Sequence, residues 1–192
     1  MKWKRAICVA SGPSLCREDV LLAQSAGWPL IAVNSSWEAV PECDVIYAGD
    51  WKWWSKYHER ISIPAERWTC CPDAAAEFNL QQHKAGGPFN SGQRAVQFAA
   101  AHGAKQILLL GYDCSLKHGI HWHGEYRALR NPDELSIRKW KRHYALLARE
   151  MNLCGVHVVN CSRHTELRCF PQKPLPLALN ENTCQQVDLI DN

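Results

Sequence analysis

Six short apolar runs, each closed by small or polar residues, set the strongest constraint on how this chain folds. They are Arg5–Ala10, Leu30–Val33, Asp44–Ala48, Arg67–Cys71, Gln106–Leu110 and Val156–Asn160. Runs of this length suit strands buried on both faces. Helical spacing lies between them. Cys16–Ala26 carries Val20, Leu21, Leu22 and Ala23, and Ser91–His102 carries Ala95, Val96, Phe98, Ala99 and Ala100. Pro132–Asn152 is a long helix, and Gly103 and Gly155 stand where helices commonly stop. Buried strands separated by helices predict a single Rossmann-like, doubly wound α/β domain with a mostly parallel sheet. That domain is expected to span residues 1–180. A Pro-containing stretch from Phe170 drapes over it, and residues 181–192 form a polar tail.

Composition narrows the function classes. A chain of 192 residues suits one domain. Apolar residues make up 46% and charged residues 21%, which excludes disorder and collagen-like repeats. The net charge of +3, from 22 basic and 19 acidic residues, lacks the strong basic bias of a nucleic-acid binder. The basic run Arg138–His143 reads as a solvated helix face. No apolar run approaches the roughly 18–20 residues of a membrane span. The apolar start ends at Ser11-Gly12-Pro13, too early for an export signal, so a cytoplasmic protein is expected. The ten cysteines include no Cys-x-x-Cys pair, which removes the usual zinc patterns. They are expected to be reduced, mostly buried small hydrophobes, with Cys70 and Cys71 on opposite faces of a strand.

In a doubly wound sheet, ligands bind beyond the carboxyl ends of the strands. Ser11-Gly12-Pro13-Ser14 follows the first strand. It is either an anion-binding loop at a helix start or a tight turn with Ser14 as N-cap. It is neither a Gly-x-Gly-x-x-Gly nor a Walker A sequence. Gly86–Gly92 precedes a helix, either as a second anion or sugar site or as a plain connection capped by Asn90 or Ser91. Asp50 closes the third run as a helix cap or an acceptor for a ligand hydroxyl. Trp51 and Trp54, three apart, share a face toward the core or a ligand. His118-Gly119-Ile120-His121-Trp122-His123 places three histidines in six residues. They suit a general base, a phosphate contact or a metal pair with Asp113 or Asp50; a surface loop is the plain alternative. In an extended backbone His121 and His123 share a face.

The order Ser-Gly-Pro-Ser-Leu, Val-Asn, Asn-Ser-Gly and Leu-Leu-Leu-Gly-Tyr-Asp resembles the family 42 sialyltransferases. It also resembles the related domain of archaeal 6-hydroxymethylpterin diphosphokinase-like proteins. Proteins of tailed phages and prophages look closer still, sharing Asp-Trp-x-Trp-Trp and His-Trp-His-Gly over about residues 6 to 176. The resemblance implies that Gly12, Pro13, Ser14 and Asn34 hold a cytidine nucleotide, with Asn90, Ser91 and Gly92 lining the donor site. It also implies that Tyr112 meets the donor phosphate and that one of His118, His121 and His123 is the base.

The expected protein is thus a nucleotide-binding, glycosyltransferase-like transferase. It binds a nucleotide or nucleotide sugar through Ser11, Gly12, Pro13, Ser14, Asn34, Asp50, Asn90, Ser91, Gly92 and Tyr112. His123, His121 and Asp113 would carry the chemistry toward a hydroxyl acceptor that the sequence does not identify. No cofactor is required. The alternatives are a phosphoryl transferase or hydrolase using a divalent metal on Asp50, Asp113, His121 and His123, and a non-catalytic phage accessory protein that binds a nucleotide or host protein. A phage protein of this kind would act in the bacterial host's cytoplasm, and a homo-oligomer is compatible with the sequence.

Overall fold

The computed structural model describes residues 3–127 and 129–181. Seven strands form one sheet: β1 (Arg5–Val9), β2 (Leu30–Val33), β3 (Val45–Tyr47), β4 (Glu66–Thr69), β5 (Gln81–Gln82), β6 (Gln106–Leu110) and β7 (His157–Asn160). Their order is β5-β4-β3-β2-β1-β6-β7, and every pairing is parallel. The helices are α1 (Arg17–Ser25), α2 (Trp51–Tyr57), α3 (Pro72–Glu77), α4 (Ser91–Ala101), α5 (Glu134–Leu153) and α6 (Leu175–Asn180).

Strand alternation divides the interior into two cores. Ala6 and Cys8 of β1 join Ile107 and Leu109 of β6 on one face, under α4 and α5. Ile7 and Val9 join Leu108 and Leu110 on the other, under α1, α2, α3 and α6. Both faces of the sheet are therefore apolar, which is why its strands read as unbroken apolar runs. This is the doubly wound α/β arrangement predicted.

The chain walks outward from β1 to β5 and then returns through α4 to place β6 against the free side of β1. The strand order reverses between β1 and β6. Loops leaving those two strands diverge and open a crevice at the carboxyl edge. The helix α4 starts at that same edge, after β5, so its amino end faces the crevice.

Several local expectations change. The strands β1, β3, β4 and β7 are one or two residues shorter than their apolar runs, and β5 is two polar glutamines that carry no strand signal. Cys70 and Cys71 lie beyond β4. The tryptophans of α2 that face the core are Trp53 and Trp54. Trp51 is 38% exposed, with its indole N–H donated to Glu77. The stretch after Phe170 is not merely draped: α6 seats Leu175 and Ala178 in the second core. Among the nine described cysteines, Cys8, Cys43 and Cys161 are buried, Cys154 is exposed and the rest are intermediate. Cys184 and the polar tail beyond Glu181 lie outside the described residues. Among the described residues no helix is long and apolar enough to cross a membrane.

His83 shows how the packing responds to pH. It is buried beside Tyr47, whose hydroxyl lies 3.1 Å from its Nδ1, and burial pulls its pKa down to about 4. The unfolded chain takes up this proton near pH 6.5, whereas the native one resists it until about pH 4. Stability therefore falls as pH drops through that window, by up to about 1.4 kcal/mol per pH unit for one histidine. Urea unfolding across this range should show a shallower pH dependence in His83→Gln.

Candidate functional site

The crevice is built by two loops that touch backbone to backbone. The Ala10 amide donates to the Leu110 carbonyl and the Gly12 amide to the Gly111 carbonyl, each at 2.8 Å. Neither glycine tolerates a side chain. A Cβ on Gly111, whose φ is +68°, would lie 2.3 Å from the Ala10 carbonyl oxygen. One on Gly12 would lie 2.3 Å from Asp113 Oδ1.

Asp113 locks the crossing. It is buried, and its two carboxylate oxygens accept from Ser14, Oδ2 from the amide at 2.8 Å and Oδ1 from the hydroxyl at 2.5 Å. Burial raises its pKa and the Ser14 bonds oppose the rise. Ser14 therefore does not cap α1, whose N-cap is Cys16 with no side-chain bond. The two residues form a clamp between the loops.

The histidine segment docks on the same loop through Ser11. The Trp122 amide donates to the Ser11 carbonyl at 2.9 Å, and Ser11 Oγ lies 2.8 Å from His121 Nδ1. The His121 and His123 rings stack at 5.0 Å and 16°, as the shared face predicts, and both pack on Tyr126. The Tyr126 hydroxyl donates to Ser35 Oγ at 3.0 Å, in the 3-10 turn Asn34–Glu38 after β2. Burial, helped by the neighbouring His123, lowers the His121 pKa to about 4; burial also lowers that of His123. Both rings are neutral at pH 7. Their Nε2 atoms, the Trp122 indole nitrogen and Asn34 Oδ1 are buried with no hydrogen-bond partner among the described residues. Buried polar atoms without partners mark places where a ligand or water completes the bonding.

A third element closes the crevice. Asn90 caps α4 through a reciprocal capping box with Gln93, at 3.0 and 2.9 Å. The amides of Ser91 and Gly92, at the first two helical positions, have no acceptor inside the helix. Ser91 Oγ accepts from the Gly49 amide at 3.0 Å, tying α4 to the end of β3. The Tyr112 hydroxyl donates to the Gly92 carbonyl at 3.0 Å, so this buried tyrosine braces the helix start.

These elements enclose an open cleft of about 170 Å³. Ser11, Gly12, Pro13, Asn34, Asn90, Ser91, Gly92, Tyr112, Asp113 and His121 all line it. Ser14, Asp50, His118 and His123 do not. Ser14 lies behind the clamp. Asp50 caps α2 by accepting from the Lys52 amide at 2.7 Å, His123 backs His121, and His118 faces a neighbouring cleft. Sequence reasoning missed the apolar wall from α5 and its approach, namely Pro132, Ile137, Trp140 and Tyr144. The i, i+3, i+7 spacing of Ile137, Trp140 and Tyr144 marks one helix face but does not say what that face meets.

The alternative divalent-metal set does not converge. Asp113 spends both oxygens on Ser14, and Asp50 is occupied at the α2 cap. Among the described residues no group of three or more His, Cys, Asp or Glu side chains is arranged to hold a metal ion.

Asp113→Asn leaves one acceptor where two buried donors converge. It should cost about 1–3 kcal/mol in urea unfolding. His123→Ala removes cover and a neighbouring ring from His121, so NMR titration should find the His121 pKa moved up from about 4 toward its ordinary value.

No family model and no curated protein matches the chain. Among solved structures it is similar to a xylose isomerase-like TIM barrel/4-hydroxyphenylpyruvate dioxygenase fusion protein, at 14% identity and a TM-score of 0.20. That alignment covers 86% of this chain but only 23% of the other, and a likeness at this level carries no argument about fold or activity.

Proposed function

We propose that this chain is a glycosyltransferase-like enzyme that holds a nucleotide-linked donor across the β1–β6 switch point and transfers its group to a hydroxyl acceptor. The observation that carries this reading is the convergence, in one cleft, of an open helix start at Ser91–Gly92 and a neutral His121 with an unpartnered Nε2. A helix amino end favours phosphate, through free amides and the helix dipole. Gly12 lines the same cleft, and its lack of a side chain lets the β1 loop close on Asp113 and Gly111. Asn34, which adopts φ of +51° and aims an unsatisfied carbonyl oxygen into buried space, suits an amino or hydroxyl group of the nucleoside. The Ile137–Trp140 wall supplies an apolar surface for a base or sugar ring. The resemblance of four motifs to the family 42 sialyltransferases points the same way.

His121 is the base in this scheme. With Nδ1–H donated to Ser11 Oγ, its Nε2 carries the lone pair and takes the proton of the acceptor hydroxyl. A base with a pKa near 4 is weak in the empty site. Negative charge on the departing phosphate favours the imidazolium as the reaction proceeds. Ser11 is a positioning residue that fixes the ring and its tautomer.

The first experiment is a thermal-shift panel of nucleotides and nucleotide sugars, with and without magnesium. Ligand at about 100 times its Kd adds about 2.7 kcal/mol of stability. A metal-independent shift with one pyrimidine nucleotide class is expected. No shift with any compound would overturn the reading in favour of a non-catalytic binding protein. Once a donor is found, His121→Ala should lower turnover by about 10²–10⁴ while its nucleotide shift persists. Wild-type activity should stay level down to about pH 5 and fall as His121 protonates near pH 4.

A further inference from the structure

A second cleft of about 300 Å³ adjoins the first and shares Pro13, Asp113 and Ser115 with it. The function proposed above leaves it unused. Cationic and imidazole side chains dominate its lining: Lys117, His118, Arg163, His164 and Arg168. The acids there are already engaged. Asp113 is bound to Ser14, and Glu166 is paired with Lys141, with Lys117 at 2.9 Å and with the Ser115 hydroxyl at 3.1 Å. Arg163 is committed to Asp19 through two bonds of 2.8 and 3.1 Å. Arg168 has no carboxylate partner among the described residues, and the exposed His118 and His164 rings lie 4.8 Å apart, within electrostatic reach of the buried Asp113 carboxylate.

Two exposed imidazoles side by side bury little surface, so packing does not account for the pair. The two rings, Arg168 and Lys117 gather hydrogen-bond donors on one wall of the cleft. An oxyanion between them supplies the matching acceptors. A tetrahedral phosphate suits the place better than a carboxylate, because donors from three segments (Lys117–His118, His164 and Arg168) exceed what two oxygens accept. The Lys117–Glu166 pair is exposed on the lysine side, so the ammonium can turn to a ligand at small cost.

We propose that this second cleft is a phosphate subsite, read by Arg168, Lys117 and the His118–His164 pair. Its phosphate belongs either to a phosphorylated acceptor or to the far phosphate of the donor. Which molecule carries it rests on the transferase reading; the binding itself does not.

The test is NMR of the full chain with ¹³C-labelled histidine, the signals assigned through His118→Gln and His164→Gln. Inorganic phosphate is titrated at constant ionic strength, balanced with chloride. The His118 and His164 signals should shift saturably while His121 does not. Arg168→Glu, an exposed change checked by thermal melting, should weaken the phosphate response about tenfold or more. A shift reproduced by chloride, a shift confined to His121, no shift, or an undiminished affinity in Arg168→Glu would each overturn the subsite. Nucleoside mono-, di- and triphosphates added to the same sample separate the two sources. Movement of the pair with the longer nucleotides assigns the donor's far phosphate, and movement with free phosphate alone assigns the acceptor. Failure of the nucleotide panel together with a saturable phosphate response would remove the transferase reading and leave the subsite standing.

Discussion

The Asp113–Ser14 clamp is the contact on which the rest of the site depends. The two loops stay joined just beyond their strands by the Ala10–Leu110 and Gly12–Gly111 backbone bonds, and past these the sheet no longer sets the distance between them. A buried carboxylate that accepts both the amide and the hydroxyl of Ser14 sets it. Gly12 and Gly111 are then the residues that let the backbones close to hydrogen-bonding distance beneath it. Such a carboxylate is costly to bury, which is reflected in its raised pKa, and its two bonds to one residue offset that cost. Asp113 thus works as a fixed part of the frame, and the mobile proton of the proposed chemistry belongs to a different side chain.

Division of labour follows from this frame. In the proposed reading the sheet edge and α4 offer backbone amides to phosphate, so the grip needs no cationic side chain. The histidine segment brings the ionisable group and keeps it uncharged by burial. Ser11 joins the two, because its carbonyl anchors the segment and its hydroxyl orients the ring. One residue therefore couples the position of the proposed base to the loop proposed to face the donor.

Much of this was legible in the sequence, for a physical reason. Strands covered on both faces must be apolar throughout, so Leu30–Val33 and Gln106–Leu110 stand out at their observed bounds. Strand ends in a parallel sheet share an edge, so the small and polar residues after them fall together. Ten of the candidate residues do line one cleft. What was hidden depends on partners distant in sequence. Ser14 looks like a helix cap until Asp113, 99 positions away, takes both its donors. Asp50 looks like a ligand until the α2 amides claim it. The glutamines of β5 become a strand only because β4 offers them an edge. The nearness of His118 to His164 is equally invisible locally, since β7 and α5 lie between them in the chain.

The histidine segment lies in the long connection between β6 and α5, whose described residues contribute no strand to the sheet and no helix to either core. It is attached at Ser11 and, through Tyr126, at Ser35, and Tyr126 and Leu129 also pack against the second core. A part fastened onto the sheet from outside can be exchanged with little change to the sheet itself. The β1 loop, the clamp and α4 would keep their grip on one class of ligand, while a different segment in the same place would change what that ligand reacts with. In the proposed reading such a layout ties the donor side of the cleft to the hydrophobic core and leaves the acceptor side free to diverge.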